Sequence, residues 1–279
     1  MRLAIQGIGV VASFGGKNEL LGAAVGTTQP IPLRKTHADT SPLEQMYSPR
    51  QLRRIDHFTR MCLLAARQAL ADSTADQDLG FGIILCSGYG PAQTTFDFLD
   101  SLIDFGETCA SPLAFSHSVH NIPAATLSIL LGQSCPCLSL CQTDMPISSG
   151  LNAAGAWLAE GRSHSVLFIA VDERTLLLEQ VSDRLIAESH PPLRAHLPIG
   201  DGAVAFMLTL ADSGRYGCVG FDSASDQEVS AVSLKHLYGR IPVAAAFDLA
   251  AVAMLRRKHS LPANCRENGP RYSSVLVVD

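Results

Sequence analysis

Apolar residues along this chain occur in short runs that are separated by amphipathic segments. Runs of this length, bounded by glycine or polar residues and without alternation, are typical of strands covered on both faces. They predict strands at Arg2–Val11, Phe81–Cys86, Cys137–Cys141, Val166–Val171 and Ala203–Leu210. Tyr216–Phe221 is predicted to pair with the strand Ala203–Leu210 as a hairpin, and Ser273–Val278 is predicted to be the last strand.

Helical periodicity is clearest over Arg53–Ser73, where Ile55, Phe58 and Cys62 recur at three- and four-residue steps. Residues 26–49 and Cys109–Asn121 are expected to be irregular. Strands that alternate with helices indicate a layered α/β fold, here one domain over residues 1–279. Further helices are predicted at Lys17–Val25, Pro91–Phe105, Ile122–Leu131, Gly150–Glu160, Glu228–Leu237 and Val243–His259, with a weaker one within residues 174–200.

The composition narrows the range of partners. Apolar residues make up 47% of the chain and charged residues 17%, which suggests burial of apolar surface against another subunit. The net charge is −5 and no basic block occurs, so nucleic acid is not an expected partner. No apolar run is long enough to cross a membrane, and Gln6 and several glycines interrupt the first one. A cytoplasmic location is therefore expected.

The cysteines do not form a metal-binding pattern. Cys135, Cys137 and Cys141 are closely spaced, but no histidine or second cysteine pair follows at ligand spacing. Most of the eight cysteines lie in apolar runs and are expected to be buried as small hydrophobic residues. The sequence therefore predicts neither a metal site nor a cofactor.

The stretch from Cys137 to Glu160 has the organisation of a nucleophile elbow. The strand Cys137–Cys141 is followed by a polar corner, Gln142–Ser149, and then by an Ala/Gly-rich helix. Ser148 or Ser149 can cap this helix. In α/β enzymes such a corner places a nucleophile at a helix N-terminus, where the dipole favours negative charge.

Six segments in order resemble the β-ketoacyl synthases of the thiolase-like fold, and most of the match lies in residues 1–210. The resemblance implies a thiolase-like layered α/β/α fold with a complete N-terminal half and a shortened C-terminal part, residues 211–279. The segments are AIQGIGVVASFG, RRIDHFTRMCLLAARQALADS, GFGIILCSGYG, SPLAFSHSVHNIPAATLSILLG, the stretch from CPCLSLC through SSGL to GRSHSVLFIAVDE, and PIGDGAVAFML.

The chain departs from the family where chemistry is needed. Alignment from Ser149-Gly150 places Ile147 or Ser148 where ketosynthases carry the acyl-accepting cysteine. Cys141 is a thiol, but it is expected within the strand as a packing residue, and Ser148 has no obvious general base. The family's two catalytic histidine segments and its terminal Phe-Gly-Gly turn are missing from the C-terminal part, whose only histidines are His236 and His259. Condensation therefore has no visible chemical basis.

Other polar candidates are expected to have structural roles. His117 and His120 lie beside serines, but a triad would also need an orienting carboxylate and an oxyanion hole. They are interpreted as groups that satisfy the backbone of a loop. Asp201 is interpreted as part of a turn, and the pair Asp172-Glu173 as a solvated strand end.

The resemblance implies a non-catalytic subunit like the chain-length factors and the small ketosynthase-like proteins of bacterial aryl-polyene clusters. Such a subunit forms a heterodimer with an active β-ketoacyl synthase in type II fatty acid or polyketide biosynthesis, and acyl carrier protein docks mainly on that partner. The resemblance places Phe98, Leu99 and Leu102 along the acyl tunnel. It places Phe115, His117, His120, Asn121, Val166 and Phe168 at the partner interface. The alternative is a divergent acyltransferase or decarboxylase that uses Cys141 or Ser148.

Overall fold

The computed structural model describes residues 2–26, 37–188, 199–220, 234–258 and the backbone of 276–278. Within these ranges one mixed sheet runs in the order β4-β3-β5-β6-β1-β7-β8, with β2 paired to β1. The strands are β1 (Arg2–Ala12), β2 (Gly15–Gly16), β3 (Gly82–Ser87), β4 (Cys137–Cys141), β5 (Ser165–Asp172), β6 (Gly202–Thr209), β7 (Cys218–Gly220) and β8 (Leu276–Val278).

Helices cover both faces of the sheet. One face carries a core built around Phe168, Phe206 and Phe247, and the other is packed against a helix that begins at His57. Short 3-10 turns lie at Ser41–Gln45 and Glu107–Cys109. The helices are α1 (Lys17–Val25), α2 (Pro49–Leu52), α3 (His57–Asp72), α4 (Ala92–Phe105), α5 (Pro112–Ser118), α6 (Ile122–Leu130), α7 (Pro146–Ala159), α8 (Leu176–Glu188), α9 (Lys235–Tyr238) and α10 (Ala244–Arg257).

The parallel strands β4, β3 and β5 have their carboxyl ends on the same side of the sheet, which is called here the carboxyl end of the sheet. Ser87 is level with Cys141, and Cys86 is level with Ala170 two residues before the end of β5. Strand β6 runs antiparallel to β5, so its first residue, Gly202, lies opposite Asp172 at the same carboxyl end of the sheet. The carboxyl ends of β3, β4 and β5 and the start of β6 therefore lie close together, although they are far apart in sequence.

Two strand predictions were wrong, one in its pairing and one in its burial. The segment that contains β7 pairs with β1 and β8 instead of forming a hairpin with β6. Strand β4, predicted to be buried, is the edge strand of the described sheet, and its residues are half-buried or exposed. An unbroken apolar run does not distinguish a central strand from an edge strand. An edge strand that another molecule covers is apolar as well.

Several helix boundaries also differ from the prediction. The stretch Cys109–Asn121, expected to be irregular, contains α5, whose first turn is capped by the Ser111 hydroxyl. The predicted helix Glu228–Leu237 overlaps the short α9, Lys235–Tyr238, and residues 221–233 lie outside the described ranges. His259 and residues 273–275 of the predicted last strand lie outside them as well.

Candidate functional site

The helix at the elbow begins earlier than predicted. Helix α7 starts at Pro146 instead of Gly150, because proline has no N–H to lose at the first helical position and its fixed φ suits the helix. Met145 precedes it in the left-handed region, with φ 54°, an uncommon conformation for a residue with a side chain. The corner is thus a sharp turn, and Ser148 and Ser149 lie inside the first helical turn instead of capping it.

The residues in that first turn offer no activated nucleophile. Ile147 is buried in the core, and Ser148 is half-buried. In the described part of the chain, no histidine or carboxylate is hydrogen-bonded to the Ser148 hydroxyl. Ser149 accepts a 2.6 Å hydrogen bond from Nε2 of Gln142, which also donates to the Asp144 carbonyl. The polar corner is therefore held by amide contacts in which no general base takes part.

Cys141 is the nearest thiol, and it lies at the end of β4 before the helix begins. Although the residue as a whole is exposed, its sulfur lies 3.5 Å from the carbonyl oxygen of Gly88. Partial burial raises the pKa of the Cys141 thiol, and the neighbouring Asp172 carboxylate raises it further. A thiol with a raised pKa, outside the first turn of α7, is a poor nucleophile at neutral pH.

Asp172 organises the glycine turn after β3 and is not the solvated strand end that the sequence suggested. It is 1% exposed and accepts hydrogen bonds from the Ser87 hydroxyl (2.6 Å), Gly88 N (3.0 Å) and Tyr89 N (3.1 Å). Burial raises its pKa to about 6, while these hydrogen bonds act in the opposite direction. The prediction was wrong because a carboxylate after an apolar strand can turn back and bind the backbone of the neighbouring strand's turn.

Glu173 is also buried, at 4% exposure. Its carboxylate accepts a 2.8 Å hydrogen bond from the backbone N–H of Gln93 in the first turn of α4. Burial is the main cause that raises its pKa to about 8. Together Asp172 and Glu173 attach the end of β5 to the turn after β3 and to the helix that follows.

The polar residues of α5 and the segment after it do not form a Ser–His pair. The hydroxyls of Ser116 and Ser118 donate to carbonyls of their own helix, at 2.9 and 2.8 Å. Nδ1 of His117 lies 3.4 Å from the Asp56 carboxylate at the start of α3. His120 is exposed, and its ring lies against Gly90, where a side chain would clash with it.

Helix α4 presents an apolar face that this chain leaves largely uncovered. Phe98 and Leu102 are half-buried and Leu99 is 45% exposed, while the ring of Phe98 lies 5.3 Å from that of Phe115 in α5. Towards its end the helix exposes Ile103 at 79%. The same region of the surface exposes Phe105, Leu113, Phe115, Val119 and Ile129.

Two residues predicted at a partner interface are instead in the interior. Val166 and Phe168 are fully buried, and their strand β5 is hydrogen-bonded on one side to β3 and on the other to β6. A strand with both edges occupied cannot pair across a dimer, so this assignment was wrong. Asn121 and Phe115, in contrast, are exposed.

The open edge of the sheet belongs to β4. The Pro136 carbonyl accepts from Ile83 N, and Gln142 N donates to the Ser87 carbonyl. Because a parallel ladder alternates sides at every residue, the backbone groups of Cys137, Ser139 and Cys141 point away from β3. These N–H and C=O groups are in position to pair with a further strand.

The comparisons with known proteins identify the class. The model of the β-ketoacyl synthase N-terminal domain matches residues 27–231, and the chain therefore belongs to this family. No curated protein matches the chain in sequence.

Solved structures agree on a thiolase-like ketosynthase fold. The ishigamide ketosynthase/chain length factor matches with a TM-score of 0.60 at 18% identity, covering 76% of this chain and 63% of that one. The ketosynthase in complex with its chain length factor from Xenorhabdus doucetiae gives 0.58 at 20%, covering 76% and 80%. A β-ketoacyl synthase from Burkholderia phymatum gives 0.60 at 15%, covering 92% and 78%. The match thus spans less than two thirds of the ishigamide protein.

The sequence predicts no membrane-spanning helix. In the ranges that the structure describes, none of the helices is both long and apolar enough to cross a bilayer.

Proposed function

We propose that this chain is a non-catalytic ketosynthase-like subunit of the chain-length-factor type. It pairs with an active β-ketoacyl-ACP synthase in type II fatty acid or polyketide biosynthesis of the aryl-polyene kind, and it shapes the partner's acyl tunnel. The observation that carries the proposal is the first turn of α7, which contains Ile147 and Ser148, the two residues of which one is predicted at the family's nucleophile position. A buried isoleucine cannot accept an acyl group, and no described histidine or carboxylate is hydrogen-bonded to the serine to activate it.

The open edge of β4 supports the pairing with a partner. In the part of the chain that the structure describes, β4 is an edge strand whose backbone groups at Cys137, Ser139 and Cys141 point away from β3, and such an edge is a template for a strand of another chain. Helix α6 packs against β4, and exposed apolar residues of α5 and α6, among them Phe115 and Ile129, would extend the surface that a partner covers. A partner that covers this surface would bury the apolar area that a stable heterodimer needs.

The face of α4 supports the role in the tunnel. Phe98, Leu99 and Leu102 are apolar but incompletely buried within this chain, so a partner can use them as part of a shared wall. Bulky side chains at such a wall limit the space for an acyl chain. Because no activated nucleophile lies at the elbow among the described residues, acyl carrier protein would deliver its cargo mainly to the partner.

Two of the similar solved structures contain a ketosynthase together with a chain length factor. One is described as a ketosynthase/chain length factor and another as a ketosynthase in complex with its chain length factor. Their similarity to this chain supports the fold of this chain. The proposal adds that this chain also pairs with a ketosynthase.

Acylation measured by intact mass tests the proposal. The purified chain is incubated with an acyl-loaded carrier protein, alone and with a β-ketoacyl-ACP synthase whose own acylation serves as the positive control. We expect the acyl group on the synthase and an unmodified mass for this chain. A stable adduct on this chain would refute the proposal in favour of an acyltransferase, and Cys141→Ser and Ser148→Ala would locate it.

A further inference from the structure

Two histidines and an aspartate from three separate segments lie close together where β6 begins. Asp201 lies in the turn before β6, His57 is the first residue of α3, and His37 lies in the segment before the 3-10 turn. Nε2 of His57 is 2.9 Å from Oδ2 of Asp201, and Nδ1 of His37 is 3.5 Å from Oδ1. Each residue offers one potential ligand atom, and these three atoms all lie within 4.8 Å of one another.

The aspartate is held in place without help from the histidines. The backbone N–H of Ala38 donates to Oδ2 at 2.6 Å, and that of Arg174 donates to Oδ1 at 2.9 Å. Asp201 is 3% exposed, so both of its oxygens are fixed by the fold. The carboxylate is therefore preorganised, as a metal ligand must be.

We propose that His37, His57 and Asp201 form a binding site for one divalent transition-metal ion of the zinc class. Imidazole nitrogens with a carboxylate oxygen are a common donor set for Zn²⁺, and three protein ligands leave the fourth position to water. Tetrahedral bonds of about 2.0–2.2 Å place ligand atoms about 3.3–3.5 Å apart. The two nitrogens face different oxygens of Asp201, His37 Nδ1 at 3.5 Å from Oδ1 and His57 Nε2 at 2.9 Å from Oδ2, so the His57 pair needs to open by roughly half an ångström. Binding also releases any proton that these ring nitrogens share with the carboxylate.

The site is accessible from solvent. The side chain of His37 is 57% exposed and that of His57 is 27% exposed, so an ion can reach it. The side chain of Arg174, whose positive charge acts on His37, is engaged by the Glu179 carboxylate at 2.6 Å. A bound ion would fasten the segment at His37 to α3 and to the turn before β6.

Zinc titration of the full-length chain tests the site. The chelator-treated protein is titrated with zinc chloride by isothermal calorimetry, and we expect one ion bound per chain. His37→Ala removes an exposed ligand with little risk to folding and should weaken binding roughly tenfold or more, as should His57→Ala. His164→Ala removes an exposed histidine outside the cluster and should leave the affinity unchanged.

Several outcomes would overturn the proposal. They are the absence of zinc binding by the wild-type chain, equal affinity in His37→Ala, and loss of binding only in Cys137→Ser, which would assign the ion to the thiols. Cobalt(II) gives a second readout, because a site of nitrogen and oxygen ligands lacks the intense sulfur-to-metal charge-transfer bands of a thiolate site. Such bands in the cobalt-loaded wild-type protein would also contradict the assignment.

Discussion

The hydroxyl of Ser87 donates a 2.6 Å hydrogen bond to the buried carboxylate of Asp172, and so joins the ends of β3 and β5. The same hydroxyl accepts from Gly90 N at 2.7 Å, while Asp172 accepts from Gly88 N and Tyr89 N. Two side chains thus satisfy three backbone N–H groups of a turn that no strand or helix would satisfy. In the proposed heterodimer, this turn fixes where α4 begins.

We therefore expect Ser87→Ala to lower the free energy of unfolding by about 1.5–3 kcal/mol, because a hydrogen bond to a buried charged group is lost. The Asp172 pKa should also rise above about 6, since the lost donor favours the ionised form. Urea unfolding measures the first effect. Ser116→Ala, which removes an exposed hydroxyl bonded only to its own helix, is the control and should change stability little.

Gly150 is a second position that the elbow requires. A Cβ there would collide with Sγ of Cys86 and would lie 2.6 Å from Cε2 of Phe168, so α7 could not keep its distance from the sheet. Gly150→Ala should destabilise the chain by about 1–3 kcal/mol or more in urea unfolding, despite the better helix propensity of alanine. Asn152→Ala on the exposed side of α7 is the matched control. Equal stability of the two variants would contradict the close packing.

Asp248 should make stability fall as the pH rises. It is half-buried in α10 and accepts from Leu234 N at 3.0 Å and the Tyr238 hydroxyl at 2.8 Å, and desolvation raises its pKa from 3.8 to about 6. The native state therefore holds a proton between about pH 4 and 6 that the unfolded state has lost. Stability should fall across this window by about 3 kcal/mol and then level off.

Asp248→Asn removes this titration while its amide oxygen keeps both hydrogen bonds. Unfolding by urea between pH 4 and 7 should give a flatter profile for Asp248→Asn than for the wild type. Asp212→Asn, at an exposed position, should keep the wild-type slope. Parallel profiles for the wild type and Asp248→Asn would show that the carboxyl is not the titrating group.

The proposed wall formed by α4 gives a prediction about products. Leu102→Trp adds bulk to a half-buried position and should shorten the acyl products of the reconstituted complex, as read by mass spectrometry of the released chains. Leu210→Trp makes the same change at a 54% exposed position just after β6, at the opposite end of the sheet, and should leave product length unchanged. Unchanged length with Leu102→Trp would remove this residue from the wall.

The sequence predicted the elements better than their positions. The helix around Phe58 and the apolar strands were found because periodicity and apolar runs report local structure directly. Which strand forms the edge was missed, since β4 and β5 are both apolar runs and pairing depends on distant segments. The family assignment came from the order of several motifs, and the matching family model confirms it.

The polar groups of the site were the least predictable part. The early start of α7 at Pro146 could have been read from the proline, which is favoured at the first helical position. Burial of Asp172 and Glu173 could not, because their partners lie about 80 residues away in sequence. The same holds for His57 and Asp201, separated by 144 residues and joined only by the fold.

Heterodimer formation through β4 tests the central proposal most directly. The chain is mixed with a β-ketoacyl-ACP synthase from the same source organism, and the complex is measured by size-exclusion chromatography with light scattering. We predict a one-to-one complex that Ser139→Ala retains. Ser139→Pro removes an N–H on the open edge without breaking a bond to β3, and should weaken the complex roughly a hundredfold, about 3 kcal/mol. A wild-type chain that remains separate from the synthase, or an unaffected complex with Ser139→Pro, would contradict the account.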